Sequence, residues 1–180
     1  MTDDITTLAS RIAYENRWLR VREDRIRRQD GSEGIYGVVE RPDFVIVAPL
    51  DDGQITLVEQ YRYPIRARQW ELPMGTCELV PGATPEFMAA TELREETGLV
   101  AGSLLSVGEV LQGPGYCNQR GHLFLATDLT QGPVDREASE QDLICRSFAV
   151  DAVTAMVRDG VIRDALTIAA LGLLRIKALL

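Results

Sequence analysis

Three cysteines, one histidine and a single lysine are all that the 180 residues hold of those types, and each scarcity excludes something. Cys77, Cys117 and Cys145 are odd in number and far apart. They make no disulfide framework and no thiolate metal spacing, and they suit a reducing compartment. His122 stands alone, which argues against a histidine-based zinc centre; it reads as a strand residue. No run approaches the roughly 18 apolar residues of a membrane span. The start, "MTDDITTLAS", is acidic and polar, unlike a secretory leader, so a cytoplasmic location is expected. No internal repeat is visible. The net charge of -8 disfavours nucleic acid as a partner. It leaves anionic small molecules open, because a local arginine cluster or a bound cation can offset it.

What is present is a chain 46% hydrophobic, enough for one domain with a real core and a small N-terminal extension. Residues 9–40 alternate loosely around "QDGSEG", giving two or three strands with an Asp-Gly turn. "DFVIVAPL" (43–50) is a dense apolar run and reads as a buried strand, with "QITLVEQYRY" (54–63) as its partner across a "DDG" turn. "RQWELPMG" is a short strand ending in Pro and Gly. A helix follows, with Thr84 as N-cap, Pro85 at its first position, Glu86 at the positive end of its dipole and Gly98 as its stop. "SLLSVGEVLQ", "RGHLFLATDL" and "LICRSFAV" read as strands. Asp151 is placed to cap "AVTAMVRD", and "RDALTIAALGLLRIKALL" is a last helix whose leucines serve core or dimer packing. Strands and helices mix without regular alternation, so the expected class is α+β or a layered sandwich rather than a doubly wound sheet.

The chemistry concentrates in "MGTCELVPGATPEFMAATELREETGL". On a helix Glu92, Glu95 and Glu96 fall within about 100° of one another, while Ala89, Ala90, Leu93 and Thr97 form the adjoining apolar arc. The helix would bury that arc and point the carboxylates out of its edge. Like charges at this spacing repel. A divalent cation would remove that cost, and carboxylate oxygens select Mg²⁺ or Mn²⁺; an exposed acidic face is the other reading.

This stretch resembles the Nudix box, in which Gly, five residues, Glu and seven residues precede Arg-Glu-hydrophobic-x-Glu-Glu-x-Gly-hydrophobic. Gly75 matches its first residue, and Glu92, Leu93, Glu95, Glu96, Gly98 and Leu99 match its second half. "VEQYRY", "WELPMG", "GPGY" and "HLFLA" are similar, in order and spacing, to the ADP-ribose and ADP-sugar pyrophosphatase branch. The resemblance spans roughly residues 10–175. It implies a Nudix-type α/β/α sandwich with a mixed sheet and a small N-terminal β extension. Residues 1–42 would be that extension and the dimer-forming element of a homodimer, and residues 43–180 the catalytic domain.

The departures are specific. The loop is two residues longer than the pattern, with the excess around Leu79–Val80. Ala83 stands where the box has its upstream Glu, and Thr91 where it has Arg. Arg94 points away on the wheel and is a poor substitute, while Glu78 in the loop is placed to compensate.

The resemblance further implies that the Glu92 and Glu96 carboxylates and the Met74 carbonyl bind metal, with Mg²⁺ or Mn²⁺ as cofactor. Glu95 is then a ligand or positions the attacking water. A late-loop glutamate, Glu140 in "EASEQDLI" or next Glu137, would serve as base. Arg62 and Arg41 look like phosphate contacts, for which arginine is suited by its bidentate geometry. Glu71 would contact the nucleoside, and Trp18 would stack on the base or else serve a core or interface. Gln119 stands near a place that is acidic in related chains. Cys77 would be a packed thiol of the loop. The implied reaction is metal-dependent hydrolysis of the pyrophosphate bond in a nucleoside diphosphate linked to another moiety, ADP-ribose first. GDP-mannose or a dinucleotide is the alternative substrate, and a weakened nucleotide-binding or regulatory module the alternative role.

Overall fold

Strand β4 (Phe44–Asp51) shows how the layers arise. Its side chains alternate between two faces, as a strand requires, and both faces are apolar because both are covered. Val45 and Val47 join Met88, Ala89, Leu93, Phe124 and Ala126 in one cluster. Phe44, Ile46 and Ala48 join Ile55, Leu57, Leu123, Leu125, Val153, Ala170, Leu171 and Leu174 in the other. Helix α1 (Pro85–Thr97) lies over the first face; α2 (Val150–Arg158) and α3 (Ala165–Ile176) cover the second. The result is an α/β/α sandwich.

The computed structural model describes residues 4–76, 82–134 and 142–180. They divide into two compact units. One runs to Asp43 and adds Leu111–Arg120; the other comprises Phe44–Val110 and Gly121–Leu180.

The first unit is an antiparallel sheet of β1 (Ile5–Glu15), β2 (Arg20–Arg28) and β3 (Glu33–Glu40) in that order. Asp30 and Gly31 make the β2–β3 turn, with Gly31 at φ 82°. Ile26 and Asp24 are buried, but β1 is exposed along nearly its whole length.

The second unit holds the larger sheet, ordered β10-β5-β4-β9-β8, with β6 added to β5 and β7 to β4. Its strands are β5 (Gln54–Arg62), β6 (Ala67–Glu71), β7 (Met74–Gly75), β8 (Leu99–Leu111), β9 (Arg120–Gln131) and β10 (Ile144–Ala149). β4 runs parallel to β9 and antiparallel to β5 and β7, so the sheet is mixed. Among the described residues no helix is long and apolar enough to cross a membrane.

Three expectations need correction. Asp151 does not cap α2: the helix begins at Val150 with Ala149 at the N-cap and no side-chain cap bond, which leaves Asp151 inside the first turn. Ala90, assigned to the apolar arc of α1, is exposed. The carboxylates of that helix do not all point outward. Glu96 is fully buried and Glu92 is 9% exposed. The sheet beneath leaves room for them where a glycine stands, as the site shows.

Candidate functional site

Helix α1 is fixed at both ends by local chemistry. Thr84 accepts a hydrogen bond from the Phe87 N–H at 3.2 Å, which satisfies one of the first-turn donors. Gly98 closes the helix in the left-handed conformation at φ 74°, its N–H donating to Arg94 O at 2.8 Å. Ala89 and Leu93 anchor the helix on β4, and this sets the rotation that carries Glu92 and Glu96 onto β7.

There the two carboxylates meet backbone. The Met74 N–H donates to Glu96 Oε2 at 3.2 Å. The Glu92 carboxylate lies so close to Gly75 that a Cβ built on that residue would sit 2.5 Å from Oε2 and 2.6 Å from Cδ. The Glu92 carboxylate thus fills the space a side chain at Gly75 would take, and the first and last parts of the motif form one contact. Glu95 is partly exposed, with Arg94 Nη2 3.9 Å from its Oε1. Arg94 therefore neighbours Glu95 and does not replace the arginine absent at Thr91.

On the adjoining strands Arg62 and Glu71 engage each other. Arg62 Nε donates to both Glu71 oxygens, at 3.0 and 3.1 Å, and Nη2 donates to Oε2. Glu71 is 3% exposed. Burial pulls the Arg62 guanidinium down, but the hydrogen bonds and charge of Glu71, with Glu96 and Asp164 beyond it, outweigh this and hold it above the usual arginine value. Two residues expected to touch substrate separately are therefore a bonded pair. Five arginine donors are available in all, so a pair held on the Nε–Nη2 side has an Nη1 side to offer.

Trp18 and Arg41 belong to the first unit. Trp18 sits at the tip of the β1–β2 hairpin, 54% exposed, its N–H held by Asn16 Oδ1 at 2.8 Å and its ring 4.8 Å from the Arg17 guanidinium carbon. It is no core residue. The Arg41 N–H donates to Asn118 Oδ1 at 3.4 Å, and its Nε is buried with no hydrogen-bond partner among the described residues. Gln119, 2% exposed, donates through Nε2 to Pro42 O at 2.6 Å. Glu140, Glu137, Glu78 and Cys77 lie outside the described residues, as do Leu79 and Val80.

Helix α3, read from sequence as packing alone, reaches the same strands. Thr167, fully buried, accepts the Leu72 N–H at 3.0 Å, and Gln69 Oε1 accepts the Arg163 N–H at 3.2 Å. The signal in the sequence was a threonine in an otherwise apolar run, "ALTIAALGLL".

A hard divalent cation fits the donor chemistry here. Two carboxylates converge on one stretch of backbone, and a third, Glu95, stands one turn along the helix. Among the described residues no three His, Cys, Asp or Glu side chains are already gathered around a common point, so backbone oxygen, water or substrate would complete the shell.

Comparison with known proteins places this geometry. Residues 5–39 match the nucleoside diphosphate sugar hydrolase N-terminal domain and residues 39–170 the NUDIX domain. An ADP-ribose pyrophosphatase of Mycobacterium tuberculosis is 31% identical over 97% of this chain and 84% of its own length. An ADP-ribose pyrophosphatase of Bacillus subtilis is 27% identical over 95% and 92%, and a methanol dehydrogenase activator of Bacillus methanolicus 24% identical over the same shares. A crystal structure of an ADP compounds hydrolase superposes with a TM-score of 0.86, covering 96% of this chain and 93% of that one at 20% identity, a likeness of fold. With the domain match spanning most of its length, and with the glutamates of α1 seated on the Met74–Gly75 strand, the chain belongs to the Nudix family of pyrophosphohydrolases.

Proposed function

We propose that the protein hydrolyses the pyrophosphate bond of a nucleoside diphosphate sugar, ADP-ribose first, with Mg²⁺ or Mn²⁺ as cofactor. The observation that carries this reading is the seating of Glu92 and Glu96 on Met74 and Gly75. It assembles buried oxygen donors at the point where the sequence matches the family's signature. The choice of ADP-ribose rests on the two pyrophosphatases similar to the chain over almost its full length.

In this reading the carboxylates of Glu92 and Glu96 and the Met74 carbonyl hold the cation. When bound, it lowers the pKa of water and neutralises charge on the attacked phosphate and the leaving oxygen. Glu95, nearer the surface, orients the attacking water by accepting a hydrogen bond from it. Glu140 accepts the proton. Water oxygen bonds to one phosphorus, the bridging P–O bond breaks, and two monophosphates leave. Arg62, aligned by Glu71, presents its free edge to phosphate oxygens. By the family resemblance, Arg41 would contact phosphate and Trp18 would stack on the base. The chain would act as a homodimer through its N-terminal sheet, where Ile12, Tyr14 and Ile35 are exposed at 46%, 56% and 69%.

The test is a panel of nucleoside diphosphate sugars with Mg²⁺ or Mn²⁺, read as phosphate released by a coupled phosphatase. ADP-ribose should turn over fastest, and Glu96→Gln should abolish turnover without loss of stability. Wild-type turnover in that variant would refute the site. Tight nucleotide binding with no turnover on any substrate would favour a binding module.

A further inference from the structure

We infer that Thr167, on the last helix, is a positioning residue for the cation site. The inference rests on the metal-dependent reading above. It starts from the backbone of Leu72, Pro73 and Met74, the run that delivers Met74 to the glutamates. Proline has no N–H, so this run has two backbone donors. The Met74 N–H goes to Glu96 Oε2 at 3.2 Å, and the Leu72 N–H goes to Thr167 Oγ1 at 3.0 Å. Between them Pro73 O accepts the N–H of Val47 at 2.9 Å. Three elements therefore fix three successive residues: α3 holds Leu72, β4 holds Pro73 and α1 holds Met74.

Of the three anchors, α3 comes from farthest along the chain, 95 residues beyond Leu72. Its grip is itself held. Asp164 caps the helix by accepting the Thr167 N–H at 2.7 Å, which fixes the backbone from which the hydroxyl projects. Just before the helix begins, the Arg163 N–H donates to Gln69 Oε1 on β6 at 3.2 Å, a further tie close to Leu72. Leu72 and Thr167 are both fully buried, so water does not stand in if the hydroxyl is lost. A buried N–H without an acceptor drives local rearrangement. Two residues on from Leu72 is Met74, whose amide donates to Glu96 and whose carbonyl is the proposed backbone ligand of the cation. A partner that orients ligands in this way typically governs metal affinity by about 10–100-fold.

The experiment titrates Mn²⁺ into the full chain without substrate and follows the free-ion EPR signal, alongside backbone amide exchange at Leu72 and Met74. Thr167→Val keeps shape and removes the acceptor; Thr167→Ser keeps the acceptor. Valine should weaken Mn²⁺ binding roughly tenfold and speed exchange at both amides, and serine should restore both. Mn²⁺ affinity within twofold of wild type in a folded valine variant would overturn the inference while leaving the cation site intact. If wild type binds no Mn²⁺, the metal-dependent reading fails and this inference with it. Should valine not fold, Thr167→Cys, a much weaker acceptor of similar size, is titrated in its place and judged by the same outcomes.

Discussion

Replacing Gly75 with alanine tests whether the glycine exists for the glutamate. The new Cβ would lie 2.5 Å from Glu92 Oε2 and 2.6 Å from both Cδ and Oε1. Comfortable contact needs about 3.5 Å, so the carboxylate must retreat by about 1 Å. It is the end of a flexible side chain, and the strand itself need not move. Gly75 also has no positive φ to relinquish. Alanine in a strand limits the unfolded chain more than glycine does, a gain of about 0.4–1 kcal/mol. Stability should therefore stay level or rise slightly. Function should not, because a shift of about 1 Å at a reacting centre costs on the order of 100-fold, or about 2.7 kcal/mol in the barrier. The assay is kcat/KM on ADP-ribose with Mg²⁺, with Tm and an Mn²⁺ titration beside it. Activity within threefold of wild type at unchanged Mn²⁺ affinity would show that Glu92 is not held where the reasoning requires.

Other perturbations have equally definite outcomes. Arg62→Ala strands the Glu71 carboxylate, whose side chain is only 4% exposed. Breaking a fully buried pair costs about 3–5 kcal/mol; Arg62 is 39% exposed, so roughly 2 kcal/mol is expected in urea unfolding, with Glu71→Leu on the same background recovering part of it. Gly98→Ala places a side chain at φ 74° with Cβ 2.6 Å from Gln131 Nε2 and 2.9 Å from Gly132 O. The dihedral alone costs about 1–2 kcal/mol, and a Tm equal to wild type would contradict this. Asp24 is held below the usual carboxylate range by the Ser10 hydroxyl and then by Arg22, against the opposing effect of burial. A depressed folded pKa gives stability that is complete above the unfolded value of about 3.9 and disappears as pH falls through the lowered one. Asp24→Asn should therefore flatten the acid limb of a pH–stability curve between about pH 5 and 2, and an unchanged limb would refute the assignment.

Elements whose ends are punctuated locally were legible in the sequence. Thr84, Pro85 and Gly98 bracket α1 because capping and left-handed closure depend on neighbours in the chain, and Asp30-Gly31 marks the β2–β3 turn for the same reason. The dense run of β4 announced a strand covered on both sides. Long-range pairing was not legible. Arg62 and Glu71 lie on the antiparallel neighbours β5 and β6, but Arg62 is opposite Ala67 and Glu71 opposite Val58, so they meet only because the long arginine side chain reaches back along the pair; nothing local to either residue specifies that. Thr167 and Leu72 are 95 residues apart, and a hydroxyl in an apolar helix does not name the amide it will serve. Asp151 misled for a smaller reason. Both the N-cap and the first turn favour an acidic residue, and composition cannot separate positions that differ by two residues.

The glutamate triad shows where helical-wheel reasoning stops. A wheel sorts residues into arcs by hydropathy and puts carboxylates outside, yet Glu92 and Glu96 sit on the buried side with Leu93 and Ala89. What reverses their direction is on another element: a glycine that leaves a side chain's volume vacant, and beside it the Met74 amide that donates to Glu96. Burying two carboxylates costs several kcal/mol each. The contact of Arg94 with Glu95, at 3.9 Å and with both side chains partly exposed, is worth at most about 1 kcal/mol. Thr91, where the family's pattern has arginine, supplies no charge at all. Arg62, whose guanidinium feels the charge of Glu96, supplies part of the balance, and the cation proposed for this site would add to it at the buried oxygens themselves.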